Sequence, residues 1–457
     1  MSLSANTVWE VRYAGSDTNG GGFVSGASGT DFSQQNSANS GGSNGSTTDA
    51  VTNGTTTITS ATASFTSAIV GNIIYIAGGT GSIVGAWYQV VTYTNATTIV
   101  VDRSTGLTTG TGATMNIGGA LGSPGQVGGL LVAGNQCWIK YTSGSPFVTS
   151  SASINVSGGI VGVAVAVVMQ GYDLARGDRT GNQPMLQWGA SAPGSAAYLF
   201  NVTGQGPTFI NLCANANSVN YVGGFTSGGQ YARFLWCTAE NANGTSAGYG
   251  FNLATQIDAT AISCYALSCL TGYYLGICQL CVASGCATYG FNTAGPLTEC
   301  IAYDCGTGYR GAYSGAVYLR CVADGCTTGF LALSTNEWSM IDCVITNNTT
   351  GITHNNDYLT TVNLALYNNT ANFSGTAASS VGGTVTPNIT LTVSPYAGGG
   401  GSYQPNATAG GGALLRGVAT AVWGQTDDKD VGAVHSANQV GLTGLIMTVR
   451  GQTVAIH

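Results

Sequence analysis

The sequence predicts an all-β protein built around a parallel β-solenoid. Three observations carry this expectation. Glycine, hydroxyl and amide residues stand where charge is usual; a unit of about 20 residues repeats through the middle of the chain; and each unit alternates apolar and polar positions.

Composition sets the first bounds. Charged residues make up 6% of the 457-residue chain, against roughly a quarter in an ordinary soluble domain. Glycine contributes 71 residues, and Ser, Thr and Asn fill much of the rest. These are mediocre or poor helix formers, so long helices are not expected, whereas short strands joined by tight turns are. The net charge is −7, and the 11 Lys and Arg form no basic cluster, which argues against nucleic acid as a partner. The longest apolar run, Ile160–Met169, is too short to span a bilayer and reads as a strand buried on both faces; no membrane partner is expected. The opening MSLSANTVWEVR has no basic stretch followed by an apolar one, so synthesis in the cytosol without a signal peptide is expected.

The chain divides into three parts. Residues 1–134 read as a β-rich cap or attachment region. A Ser/Gly/Asn/Thr-rich tract from Ser33 to about Ser60 precedes the strand signals GNIIYIAGG, GAWYQVVTYT, TTIVVDRSTG and ATMNIGGALGSPG. A small antiparallel unit here would close the open end of the solenoid, which otherwise exposes apolar side chains and unpaired backbone. Residues 135–385 carry the solenoid. Residues 386–457 hold a Gly-rich joint at about 394–417 and short terminal strands that either cap the rod or exchange with a neighbouring subunit.

The repeat is read from the cysteines. CYALSCLTGYY starts at Cys264, CVASGCATYGF at Cys281, CIAYDCGTGYR at Cys300 and CVADGCTTGFL at Cys321. CVITNNTTGIT follows from Cys343 and LALYNNTANFS from Leu364, with looser copies at Cys213 and Cys237. Successive starts from Cys213 are 24, 27, 17, 19, 21, 22 and 21 residues apart. Within a unit the alternation places Leu319, Cys321 and Ala323 on one face and Arg320 and Val322 on the other. Coils stacked about 4.8 Å apart set like on like. Cys264, Cys281, Cys300, Cys321 and Cys343 then form one column, and Cys269, Cys286, Cys305 and Cys326 a second. Tyr273, Phe291, Tyr309 and Phe330 form an aromatic ladder, and Asn347–Asn348 lies over Asn368–Asn369. The preferred role for the cysteines is that of small buried hydrophobes. The alternatives are disulfides between neighbouring coils and metal binding. An odd total of 13 and a reducing compartment count against a full disulfide set. Cys278–Cys281 has no second pair or nearby His to complete a zinc site. The three His residues, His354, His435 and His457, offer no partner for a cysteine nucleophile.

With the repeat laid out, the sequence resembles right-handed parallel β-helix proteins of the pectin-lyase-like class. The stretches VWEVRYAGSDTNGGGF, NIGGALGSPG, CWIKYTSG, GYDLARGD and DVGAV add a narrower resemblance to β-helix proteins encoded by tailed bacteriophages. That resemblance covers nearly the whole chain. It implies a virion surface protein, whether head decoration, head fibre, tail fibre or tailspike.

Catalysis is tested on residues, since fold alone does not assign it. The repeat region contains Glu240, Asp258, Glu299, Asp304, Asp324, Glu337, Asp342 and Asp357. Glu299, Arg320 and Asp342 precede the first cysteine position on successive coils, which predicts an outward column. It reads as a surface ion-pair ladder or, alternatively, as the acid/base pair of glycoside hydrolysis. Adjacent Asp-Asp with Gly-His-Gly, and paired Arg around Pro, are both absent from the sequence. Thr426–Asp430 reads as a solvated turn rather than a cation site, and Gly78–Gly85 as a hairpin rather than a phosphate loop. Exposed Tyr and Trp are candidates for stacking on sugars. No metal or cofactor is expected. The reading is a non-enzymatic phage structural protein on the virion surface, a capsid decoration or fibre subunit. Its expected partners are its own copies in a homotrimer and capsid or tail proteins. The alternatives are a tailspike-like polysaccharide depolymerase and a glycan-binding adhesin; either would add a host-surface polysaccharide as a partner.

Overall fold

The computed structural model describes residues 3–415 apart from 39–45, 81–85, 106–109, 150–153, 157–166, 179–181, 229–230, 246, 254–258, 294, 312–315, 333–337, 355–358, 376–388, 397–402 and 404. Beyond Leu415 it describes the strands Leu445–Val449 and Gln452–Ile456. Thr426–Asp430, the DVGAV stretch, His435, His457, Asp258, Glu337 and Asp357 therefore lie outside the described residues, as do most of Ile160–Met169 and residues 397–402, 404, 416 and 417 of the Gly-rich joint. The chain forms a right-handed parallel β-helix and folds as two compact units, Met1–Leu186 with Asn201–Leu212, and Gln187–Phe200 with Cys213–His457.

In the first unit, Thr7–Val11 runs parallel to Gln136–Lys140, that strand to Val168–Tyr172, and that in turn to Thr208–Ile210. Thr7–Val11 is thus a rung of the parallel stack, not part of an antiparallel cap covering 1–134. The antiparallel part is an excursion between the first two rungs. Its six strands close into a barrel in the order Ser46–Thr52, Thr57–Thr59, Thr98–Val101, Ala86–Asn95, Ile73–Ala77 and Gly110–Ile117. The Ser33–Ser60 tract supplies two of these strands, because a narrow barrel asks only for small or alternating apolar residues, here Ala50 and Ile58. A single helical turn, Pro124–Gly128, follows. Ser123 caps it, its Oγ accepting from Gln126 N at 3.3 Å, with Pro at the first position.

The second unit is a regular coil of three strands. In one coil these are Ala316–Leu319, Val322–Asp324 and Thr328–Ala332, which pair in register with Trp338–Ile341, Val344–Thr346 and Thr350–His354 of the next. The three strand positions build sheets 1, 2 and 3. Single residues in the left-handed conformation make both sharp corners. Between sheets 1 and 2 they are Trp236, Ser263, Leu280, Glu299, Arg320, Asp342 and Asn363, with φ between 51° and 56°. Between sheets 2 and 3 they are Asn241, Ser268, Gly285, Asp304, Gly325, Asn347 and Asn368. Each non-Gly corner costs roughly 1–2 kcal/mol of backbone strain, least for Asn and Asp. The hydrogen-bond ladder offsets this by continuing through the corner: Arg320 N donates to Ile341 O at 2.8 Å and Asp342 N to Val362 O at 2.8 Å.

These corners correct the predicted alternation. No strand runs through residues 319–323. The left-handed residue resets the phase, so Tyr318, Met340 and Thr361 take the interior place on sheet 1, while Leu319, Ile341 and Val362 are half-buried. The interior is layered as like on like. Rings of Phe200, Phe225, Phe251, Tyr273, Phe291, Tyr309 and Phe330 stack with centroids 4.4–5.0 Å apart and planes within 12°. Tyr309 OH reaches across the core to donate to Cys300 O at 2.6 Å and Val322 O at 3.0 Å. From Phe225 onward a glycine precedes each ring, and it is required. A Cβ on Gly308 would lie 2.7 Å from Gly329 O and 3.2 Å from Ala302 Cβ.

Ile389–Thr390 adds a parallel strand to sheet 2, and described residues beyond it cover the outer face of that sheet. Leu391, Tyr403 and Leu415 pack on Tyr265, Val282, Ile301, Val322, Val344 and Ala365. Val322, which the alternation places on the outer face, and Val344 at the same position of the next coil are fully buried by their own chain.

Candidate functional site

The column Glu299–Arg320–Asp342 sits at the corner between sheets 1 and 2. Arg320 Nη2 lies 3.1 Å from Glu299 Oε1, and Asp342 Oδ1 accepts from Asn363 Nδ2 at 2.8 Å. The arrangement is not an exposed ladder: Asp342 is fully buried and the Arg320 side chain is 4% exposed. The left-handed backbone folds these side chains along the corner, where each finds its partner on the adjacent coil.

Asp324 belongs to the covered face of sheet 2. It accepts from Thr346 Oγ1 at 2.9 Å, Asn347 Nδ2 at 2.7 Å and Tyr403 OH at 3.2 Å. Burial, and then the negative charge of Asp324, push the Tyr403 phenol far above its ordinary range. Asp304 is an exposed corner residue and pairs in position with Gly325, not with Asp324.

Both cysteine columns are interior. All thirteen cysteines are buried, and none is in a disulfide. Their Sγ atoms donate to carbonyls of their own coil and the preceding one, as Cys300 does to Thr298 O at 3.4 Å and Cys278 O at 3.5 Å. Burial pushes the Cys269 thiol up to about 12, so it carries no thiolate at neutral pH. Among the described residues no cluster of three or more His, Cys, Asp or Glu is placed to hold a metal ion.

Three of the five stretches that carried the narrower resemblance meet in the first unit. Glu10, fully buried, accepts on Oε1 from Arg12 Nε at 2.8 Å and from Tyr172 OH, and on Oε2 from Arg176 Nε at 2.8 Å. Arg176 continues to Asp31 at 2.9 Å and to Ser33 Oγ at 3.0 Å. Asp17 holds Gly122 N and Ser123 N at 3.0 and 2.9 Å. Asp178 accepts from the amides of Asp173, Leu174 and Ala175. These bonds outweigh its partial desolvation and hold its carboxyl below the usual range. VWEVR, GSDTNG, LGSPG and GYDLARGD thus form one latch that ties the first rung to the loops around it. Sequence reasoning quoted these stretches but missed their contact, because the partners lie up to 166 positions apart.

A different surface is built on sheet 3. Tyr198 lies flat over Gly223, where a Cβ would come within 2.6 Å of the ring, and its OH accepts from Asn252 Nδ2 at 2.6 Å. Tyr249 and Tyr274 stack at 4.9 Å, and two coils on Arg310 lies over Tyr289 at 4.8 Å. All these side chains are half-buried, with one ring face bedded on the sheet. The sequence signal was the exchange of Tyr for Thr before the inward glycine: Tyr249 and Tyr289 against Thr271 and Thr307.

No protein-family model and no curated protein sequence matches the chain. Among solved structures it is similar to the pectate lyase Pel9A, at 13% identity over 69% of this chain and 92% of that one, with a TM-score of 0.45. It is similar also to a rhamnogalacturonan lyase, at 12% identity over 55% and 70% with a TM-score of 0.31. A third is the Gp54 tailspike of Acinetobacter baumannii bacteriophage AP22 in complex with capsular saccharide, at 10% identity over 72% and 63% with a TM-score of 0.23. The parallel β-helix itself rests on the strand pairing described above. Among the described residues no helix is long and apolar enough to cross a membrane.

Proposed function

We propose that the chain is a non-catalytic β-helical surface subunit of a bacteriophage particle, a head decoration or fibre protein. The observation that supports it best is the fate of the carboxylates. Every described Asp and Glu except Asp304 accepts a hydrogen bond or ion pair from its own chain. Among the described residues the carboxylate nearest Asp304 along the ladder, Asp324, is taken up by Thr346, Asn347 and Tyr403, and glycosidic cleavage normally needs two. A homotrimer is the assembly proposed. With Val322 and Val344 covered, the outer row of sheet 1, in which Gln279 and Thr298 separate the aliphatic Leu235 and Ile262 from Leu319, Ile341 and Val362, is the surface a threefold contact would use.

The test is made on purified particles and purified protein. Gold-labelled antibody on intact virions gives the position and copy number, and light scattering gives the subunit number. Many copies on the head, with no reducing ends released from host capsule, is the result expected. Release of reducing ends by the purified protein would overturn the non-catalytic reading in favour of a depolymerase.

A further inference from the structure

We propose that the outer face of sheet 3, from Tyr198 to Arg310, binds the pyranose rings of an extended polysaccharide. The proposal rests on the reading above, since it assigns binding without bond cleavage. Sheet 2 is covered by Leu391, Tyr403 and Leu415 and sheet 1 presents a mostly aliphatic row, whereas this face presents rings and amides. Tyr198 is held as a platform by a glycine below it and an amide at its hydroxyl, so its free face is fixed before any ligand arrives. Tyr274 and Tyr289 repeat the platform further along, each with one side already occupied, by Tyr249 and Arg310 respectively. Between them Asn292 is buried, and among the described residues its Oδ1 finds no hydrogen-bond partner; nor does Arg310 Nε. An unmet acceptor and donor beside flat rings suit a ligand of hydroxyl edges and C–H faces, which is a sugar, better than an aliphatic protein surface. Tyr198 and Tyr274 stand three coils apart and Tyr289 one coil further, so at about 4.8 Å per coil the platforms are spaced for an extended chain running along the stack.

The probes are maltohexaose, cellohexaose and chitohexaose as neutral chains and hexagalacturonate as an acidic one, each titrated calorimetrically into the full-length protein. At least one should bind. Tyr198→Ala and Tyr274→Ala should each weaken it by about tenfold or more. Tyr274→Phe, which keeps the ring, and Tyr367→Ala, on sheet 2, should not. Thermal melting of each variant separates loss of the site from loss of the fold. An Arg310→Gln loss confined to hexagalacturonate would assign an acidic polysaccharide; equal affinity for all variants, or no binding by any probe, overturns the site. A changed subunit mass in the tyrosine variants would also overturn it, as the mark of a contact between copies. Reducing ends released by a protein whose binding still needs Tyr198 would uphold the site and overturn the non-catalytic reading.

Discussion

Replacing Glu299 by Gln removes the negative end of a pair whose other member, Arg320, lies 3.1 Å away with its side chain 4% exposed. Breaking a fully buried pair from one side costs about 3–5 kcal/mol, and breaking an exposed one about 0–1 kcal/mol. Glu299 retains some water contact at 11% exposure, which places the expected loss at about 2–3 kcal/mol. Arg320→Asn keeps the corner, since Asn accepts the left-handed φ of 53° better than most residues, but leaves Glu299 without its cation. The double variant should therefore lose less than the sum of the single ones, with a coupling of about 1–2 kcal/mol. Unfolding in denaturant of all four proteins, by rate where refolding is incomplete, measures it. Single losses that add to within about 0.5 kcal/mol would refute the buried pair. So would an unchanged unfolding profile accompanied by a collapse of some polysaccharide-degrading activity, because that is the behaviour of an acid/base site.

Native thiol labelling should leave Cys300 and Cys321 unmodified until denaturant is added; rapid modification, or a disulfide mapped between them, contradicts the interior column. Tyr403→Ala should cost about 3–5 kcal/mol and expose Val322 and Val344 to an apolar dye, since it removes both the ring packing and the bond to Asp324; unchanged dye binding would show that the covering segment holds without it. Burial raises the phenols of Tyr273, Tyr309 and Tyr318 well above 10.0, so the folded state keeps protons that the unfolded state releases. Stability should then hold below about pH 10 and fall as pH rises beyond it, with phenolate absorbance appearing together with unfolding. Free titration of all tyrosines in the folded protein contradicts this. Gly308→Ala should destabilise by about 1–3 kcal/mol or more, because a carbonyl and not a flexible side chain occupies the space its methyl needs; a neutral melting temperature would show that the coil spacing gives way.

The coil was legible in the sequence because a stacked solenoid repeats its chemistry at a fixed step. Cys264, Cys281, Cys300, Cys321 and Cys343 stand at one position of successive coils, and Tyr273, Phe291, Tyr309 and Phe330 at another, so alignment of the chain with itself is enough to find them. The barrel strands Ile73–Ala77 and Ala86–Asn95 were legible for the same local reason, as alternating apolar runs. Three matters were not local. The corners were hidden because a left-handed residue leaves no mark when it is Arg, Glu or Leu, and one such residue reverses which neighbour faces inward. The covering of Val322 and Val344 depends on Leu391, Tyr403 and Leu415 returning over sheet 2, a contact between positions about 80 apart in the case of Asp324 and Tyr403. The latch on Glu10 depends on Arg176 and Tyr172, brought beside it only when Val168–Tyr172 stacks on Gln136–Lys140 and that strand on Thr7–Val11. Sequence carries the period because every coil must satisfy the same ladder. Burial of a charge is decided by what the folded chain lays over it, and so the carboxylates could be assigned only in three dimensions.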